Sequence, residues 1–222
     1  MAFSYDPGGS LAAPGDSPVS AVYRPSEPMT AILVLCTANI CRSVMAAAFL
    51  ARRLAGLRAQ AVVNSAGFLH SGEPPPPEVI AAMAGRGCDV AAHRSRVVSG
   101  ADLAMAGLVL GLAREHVRLA VAEVPEAWPR CFTLKELVRR GELVGPRAAA
   151  EPVADWLSRV QQGRSRSALL GDSAADDVAD PTGGPPPAYA AAAADLGQLT
   201  ARLARLGWGG LQSGNMPPEV DY

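Results

Sequence analysis

The chain is poor in aromatic residues, carries no surplus of either charge and has no long apolar run, and each scarcity excludes something. Twenty lysines and arginines face 21 acidic residues, a formal charge of −1, whereas a nucleic-acid binder usually carries a basic excess. No stretch approaches the roughly 18 uninterrupted apolar residues of a membrane span, so no membrane partner is expected. The amino end lacks the basic-then-apolar order of a secretory signal, which argues for a cytoplasmic protein, although unconventional export leaves no such mark. Cysteines stand only at 36, 41, 88 and 131, a set that resembles neither a disulfide framework nor a zinc site. What remains is a soluble globular protein of 222 residues, 49% hydrophobic and 5% aromatic, large enough for one generous domain or two small ones.

The stretch most charged with chemistry is Cys36-Thr37-Ala38-Asn39-Ile40-Cys41-Arg42-Ser43. Before it, Thr30-Ala31-Ile32-Leu33-Val34-Leu35 is an apolar, partly β-branched run that reads as a strand buried on both faces. After it, Phe49, Leu50, Leu54 and Leu57 share one helical face that Arg52 and Arg53 avoid. The eight residues are therefore a strand-to-helix loop. Such a loop aims several backbone N–H groups and the positive end of the next helix at one point, where an anion fits. A thiol at its start sits in that positive field, which favours the thiolate and makes Cys36 a nucleophile. Arg42 adds a planar fork suited to two phosphate oxygens. The pair Cys36 and Cys41 is read as catalytic and redox chemistry, with Cys41 either a resolving thiol or a small buried loop residue.

Along the rest of the chain strands alternate with helices. Residues 1–28 are rich in Pro and Gly with little periodicity and read as a flexible tail, so folding starts near Met29. A second strand is expected at 60–64, ending in Ser65-Ala66-Gly67. The loop from Phe68 through Pro77 is stiff, and a helix over 78–87 turns Val79, Ile80 and Met83 inward. His93-Arg94-Ser95-Arg96 is a basic loop, either a solvated turn or a wall of the cleft. A third strand at 106–110 precedes a helix over 113–121, in which His116 reads as a surface or capping group. A short fourth strand, 130–133, leads to a helix start where Thr133 can cap and Glu136 lies three residues on. A helix is expected over 148–160, and a final one from Ala188 with a stripe of Tyr189, Ala193, Leu196, Leu199, Leu203 and Leu206. Between them Asp172, Asp176, Asp177 and Asp180 cluster before Pro181. Residues 208–222 read as a tail, which leaves one domain over 29–207. Alternation of this kind implies an α/β fold, a parallel sheet with right-handed crossovers and helices on both faces, three layers in all.

Cys-x5-Arg-Ser after a first strand, with Asn39 and Cys41 inside it, resembles the low-molecular-weight protein tyrosine phosphatases. Asn64-Ser65-Ala66-Gly67, Leu112-Ala113-Arg114-Glu115-His116 and Asp180-Pro181 are similar to family segments in the same order. The resemblance implies four parallel strands in the order 2-1-3-4 and hydrolysis of phosphate monoesters, protein phosphotyrosine foremost, through a phosphocysteine on Cys36. It makes residues 37–43 the phosphate-binding loop: Thr37, Ala38, Asn39, Ile40, Cys41, Arg42 and Ser43. Within it Asn39 props an unusual backbone and Ser43 hydrogen-bonds the Cys36 sulfur. Asp180 becomes the acid, Phe68, Leu69 and Thr182 border the substrate cleft, inorganic phosphate is the product, and neither metal nor cofactor is required.

Three departures stand out. Ala38 replaces a common Gly, Val44 a frequent Pro, and Thr182 an aromatic residue that would flank a phenol ring. Ile40, by contrast, resembles the tyrosine-directed members rather than the phosphoarginine-directed ones. Two other classes stay open: a thioredoxin-coupled arsenate reductase, which needs two further closely spaced cysteines, and a non-catalytic regulator that binds phosphoanions.

Overall fold

Residues 29–212 are described by a computed structural model, and the expected tails lie outside it except for the start of the second. Four strands, β1 (Thr30–Leu35), β2 (Ala61–Ala66), β3 (Leu108–Gly111) and β4 (Cys131–Thr133), form a sheet in the order β2-β1-β3-β4. All neighbours run parallel. The register sets Leu35 level with Ala66 and Gly111, and Gly111 level with Thr133, so the strands end together. Every loop that leaves a strand's carboxyl end thus emerges on one rim, where α/β sheets bind ligands.

Alternate side chains of β1 explain the layers. Ile32 and Val34 join one core cluster and Leu33 and Leu35 the other, as the two-residue period of a strand requires. The first cluster is covered by α1 (Arg42–Gly56), α2 (Pro77–Ala84), α5 (Leu134–Val144), α6 (Val153–Gln161) and α7 (Pro186–Trp208). The second is covered by α3 (Gly100–Met105), α4 (Arg114–Glu123) and the 3-10 turn Pro125–Arg130. The expected inward residues are buried at Val79, Met83, Trp156, Leu157, Val160, Tyr189, Leu196 and Leu203.

Several boundaries move, each for a local reason. Helix α3 was not expected; it is short, and Ser99 and Asp102 close a reciprocal capping box at its start. The helix expected from 148 begins at Val153, because Pro152 suits the position before a first turn and residues 148–151 make a turn of their own. Thr133 does cap α5, accepting from the Glu136 N–H at 3.0 Å. Glu136 does not reach back to complete a box: its carboxylate takes a fork from Arg164, which lies sandwiched between the rings of Trp128 and Phe132. Trp208, expected to open the tail, is instead the buried last residue of α7, so the folded chain reaches past 207.

Candidate active site

The loop between β1 and α1 has no side-chain cap on the helix it feeds: Cys41 stands at the N-cap position with its side chain uncommitted. The first-turn N–H groups therefore keep their capacity for an outside acceptor. To curl that tightly the loop puts Asn39 at φ 56°, in the left-handed region that Asn tolerates better than most residues.

Asn39 is held there by its side-chain amide and its carbonyl. Its Nδ2 donates to Ser43 Oγ at 3.0 Å and to Ser65 Oγ at 2.9 Å. Its Oδ1 accepts from the Arg96 N–H at 3.0 Å, and its carbonyl lies 2.8 Å from His93 Nε2. The basic segment 93–96 is thus a buttress behind the loop. Gly67 completes the support: a Cβ there would stand 2.8 Å from Asn39 N and 2.8 Å from Thr37 O, so only glycine lets β2's exit pack against the loop. Phe68 N–H then donates to Thr37 O at 2.8 Å.

At the base of the curl Cys36 Sγ lies 3.0 Å from Ser43 Oγ. Because Asn39 already donates to that oxygen, the Ser43 proton is free to point at sulfur. Cys41 is buried, and its thiol is pushed up to about 12 by burial first, then by the charges of Asp180 and Cys36, with Arg42 opposing. It stays a thiol. Ala38 and Ile40 are half-buried, Ile40 packing on the first core cluster.

Arg42 gathers the remaining groups. Its Nη1 donates to the Val178 carbonyl at 3.2 Å, and its Nη2 meets Asp180 Oδ2 at 2.5 Å and Thr37 Oγ1 at 3.4 Å. Asp180 is separated from Arg42 by 138 residues, yet a half-exposed carboxylate and a buried guanidinium share one point. Thr182 donates both its N–H (3.1 Å) and its hydroxyl (2.8 Å) to Asp180 Oδ1, so it acts on the carboxylate.

The other three aspartates do different work. Asp177 accepts from the first N–H of α4, at Arg114, and from Ser173 N–H, capping a helix that has no cap of its own. Asp176 pairs with Arg114 and Arg139. Burial pushes its carboxyl up, but the hydrogen bonds from those arginines outweigh it and hold it below the ordinary carboxylate range. Lys135 holds the Asp177 carbonyl at 2.8 Å, and Val178 N–H donates to Leu112 O. Cations on α4 and α5 thus staple the segment that carries Asp180, while Asp172 is exposed.

His116 is the main surprise. Rather than sitting on the surface or capping, it is 1% exposed, with Nε2 3.1 Å from Thr37 Oγ1. Gly111 permits this, since a Cβ there would crowd Val117 and His116 as α4 crosses the end of β3. The ring of Phe68 stacks on the imidazole at 6.1 Å, half-buried against the second core cluster, whereas Leu69 is exposed. The clue available in the sequence was position: the third residue of a helix that follows a strand's carboxyl end faces the rim. Among the described residues no group of three or more His, Cys, Asp or Glu side chains is placed to hold a metal, and no helix is long and apolar enough to cross a membrane.

An anion cradle after the first strand of a 2-1-3-4 parallel sheet, with a thiol at its base, defines a class of α/β phosphatases. The chain belongs to the family described as low molecular weight phosphotyrosine protein phosphatase, whose model matches residues 31–145. It is 32% identical over 175 residues to the protein-arginine-phosphatase of Geobacillus stearothermophilus, covering 78% of this chain and 93% of the relative. It is 30% identical over 137 residues to the low molecular weight protein-tyrosine-phosphatase Etp of Escherichia coli, 59% and 89% of the two chains. A solved low molecular weight protein tyrosine phosphatase from T. tengcongensis superposes with TM-score 0.60 at 28% identity, over 79% of this chain and 98% of that one.

Proposed function

We propose that the chain hydrolyses protein phosphotyrosine through a phosphocysteine intermediate on Cys36. The observation that carries this reading is the convergence of Arg42 and Asp180 in front of a loop whose Cys36 sulfur lies 3.0 Å from the Ser43 hydroxyl.

The entering phosphoryl group takes the loop N–H groups and the Arg42 fork. The Cys36 thiolate attacks phosphorus, the bond to the leaving oxygen breaks, and protonated Asp180 gives that oxygen its proton. Water then attacks phosphorus, Asp180 takes a proton from it, and the P–S bond breaks, releasing inorganic phosphate. Ser43 stabilises the departing sulfur. Asn39, His93, Arg96 and Gly67 keep the loop amides aimed, so little reorganisation is needed when charge develops. The resemblance of Ile40 to the tyrosine-directed members of the family supports a tyrosine substrate.

The test is one preparation assayed on phosphotyrosine, phosphoserine and phosphoarginine peptides and on arsenate, beside Cys36→Ser. The reading expects phosphotyrosine turnover that vanishes in Cys36→Ser while inorganic phosphate still binds. Preference for phosphoarginine would replace the substrate, turnover of arsenate would replace the class, and undiminished activity of Cys36→Ser would end the mechanism.

A further inference from the structure

His116 touches the phosphate loop through one atom pair, Nε2 to Thr37 Oγ1 at 3.1 Å, while its Nδ1 is buried with no hydrogen-bond partner among the described residues. A neutral imidazole carries one proton, and its two placements differ here. A proton on Nδ1 would be a buried donor with nothing to accept it. A proton on Nε2 leaves only an unused lone pair on Nδ1. Orphaned buried N–H groups are the rarer and costlier defect, so the proton belongs on Nε2, and His116 donates to Thr37.

The consequence falls on the threonine. Arg42 Nη2 also points at Thr37 Oγ1, at 3.4 Å, and an Arg nitrogen can only donate. Both lone pairs of the hydroxyl oxygen then face donors, and its proton must go elsewhere. Thr37 is half-buried and Arg42 is paired in front of it with Asp180, so the open direction is the anion cleft.

We infer that Thr37 supplies a side-chain hydrogen bond to the bound phosphoryl group, and that His116 is the positioning residue that forces the hydroxyl into the donor role. The ring is locked for the task by Phe68, stacked on it with 7° between planes. Burial, then the charge of Arg42, push the His116 ring down to about 4, with Asp180 and Asp177 opposing and Arg118 assisting, so it is neutral at the pH of an ordinary assay. The arrangement rests on the phosphatase reading but makes a separate demand: a donor whose removal weakens anion binding as well as turnover.

The decisive variants are Thr37→Val, which removes the hydroxyl and keeps the shape, and His116→Gln, whose Nε2 carries protons where the imidazole has one. Inorganic phosphate is the probe, by calorimetry and by inhibition, with kcat/KM measured alongside. A hydrogen bond to a charged partner implies a loss of about ten- to hundredfold in phosphate affinity and in kcat/KM for Thr37→Val. His116→Gln should keep both within about threefold, and His116→Leu should resemble Thr37→Val. The double variant Thr37→Val/His116→Leu should be no worse than Thr37→Val alone, because His116 acts only through that hydroxyl. A purely structural histidine would instead give additive losses. Wild-type phosphate affinity in Thr37→Val overturns the inference, as do additive losses in the double variant. Should His116→Leu fail to fold, Thr37→Val and His116→Gln decide alone. If the wild-type chain turns over no phosphate monoester, the phosphatase reading fails, while calorimetry with phosphate still tests the hydroxyl.

Discussion

Acidification should strip stability from this protein through one buried ring. His116 is 1% exposed, and burial together with the Arg42 charge pushes it down from 6.5 to about 4. Above pH 6.5 both folded and unfolded chains carry the ring neutral and nothing is lost. Between 6.5 and 4 the unfolded chain binds a proton that the folded chain refuses, so stability falls with pH; below 4 both are protonated and the loss levels off. At 1.36 kcal/mol per pKa unit the full loss is about 3 kcal/mol. The charged groups facing the ring are Arg42, Arg118, Asp177 and Asp180. Glu142, Glu151 and Asp176, held below the ordinary carboxylate range by their arginine partners, and Asp102, held there against burial chiefly by hydrogen bonds from Ser99 and then by Arg96, give up their stability as pH falls through and below the ordinary carboxylate range. Urea unfolding of the wild-type protein and His116→Gln at pH 7, 6, 5 and 4.5 separates the two effects. The stability difference between them should shrink in favour of the variant by about 1 kcal/mol per pH unit below 6.5. Parallel curves for the two proteins would show that His116 charges as readily folded as unfolded, and the account of a buried neutral ring would be wrong.

Three further outcomes are expected. Asp180→Asn should slow phosphotyrosine about a hundredfold or more and an activated aryl ester far less, since only the poor leaving group needs a proton; the same selectivity in Asp177→Asn would transfer the acid role, against its place as the cap of α4. Gly67→Ala drives a methyl group to 2.8 Å from backbone atoms of Thr37 and Asn39, so it should cost about 1–3 kcal/mol and weaken phosphate inhibition, with unchanged inhibition counting against the packing argument. Peroxide should inactivate through a Cys36–Cys41 disulfide that dithiothreitol reverses, while Cys41→Ser should lose most of the recovery; a mass spectrum showing Cys36 bridged to Cys88 would leave Cys41 as packing.

The sequence by itself determined whatever depends on neighbours along the chain. β1 was legible because the five apolar residues in a row after Thr30 have few other uses, and the eight residues after it announced a strand-to-helix turn with a thiol, an arginine and donors toward one point. The stripe on α7 and the cap at Thr133 are likewise short-range patterns, and both stand where they were expected. Tertiary structure alone decided which distant groups meet that turn. Along the chain only Pro181, and the family resemblance carried by the Asp180-Pro181 pair, sets Asp180 apart from Asp176 and Asp177; the physical distinction arises because α4 and α5 present Arg114, Arg139 and Lys135 to the earlier part of the segment and leave Asp180 to Arg42. His116 was misjudged because helical periodicity reports which face is apolar and says nothing of a polar ring at the sheet's rim. Its burial is set by the closeness of α4 to Gly111 and by the ring of Phe68 from another loop. His93 and Arg96 stayed open between a solvated turn and a wall of the cleft because their partner, Asn39, lies 54 and 57 residues away. Local pattern is governed by backbone geometry that repeats every two or 3.6 residues; a site is governed by the register of four strands, which brings their ends, and so their loops, to one rim.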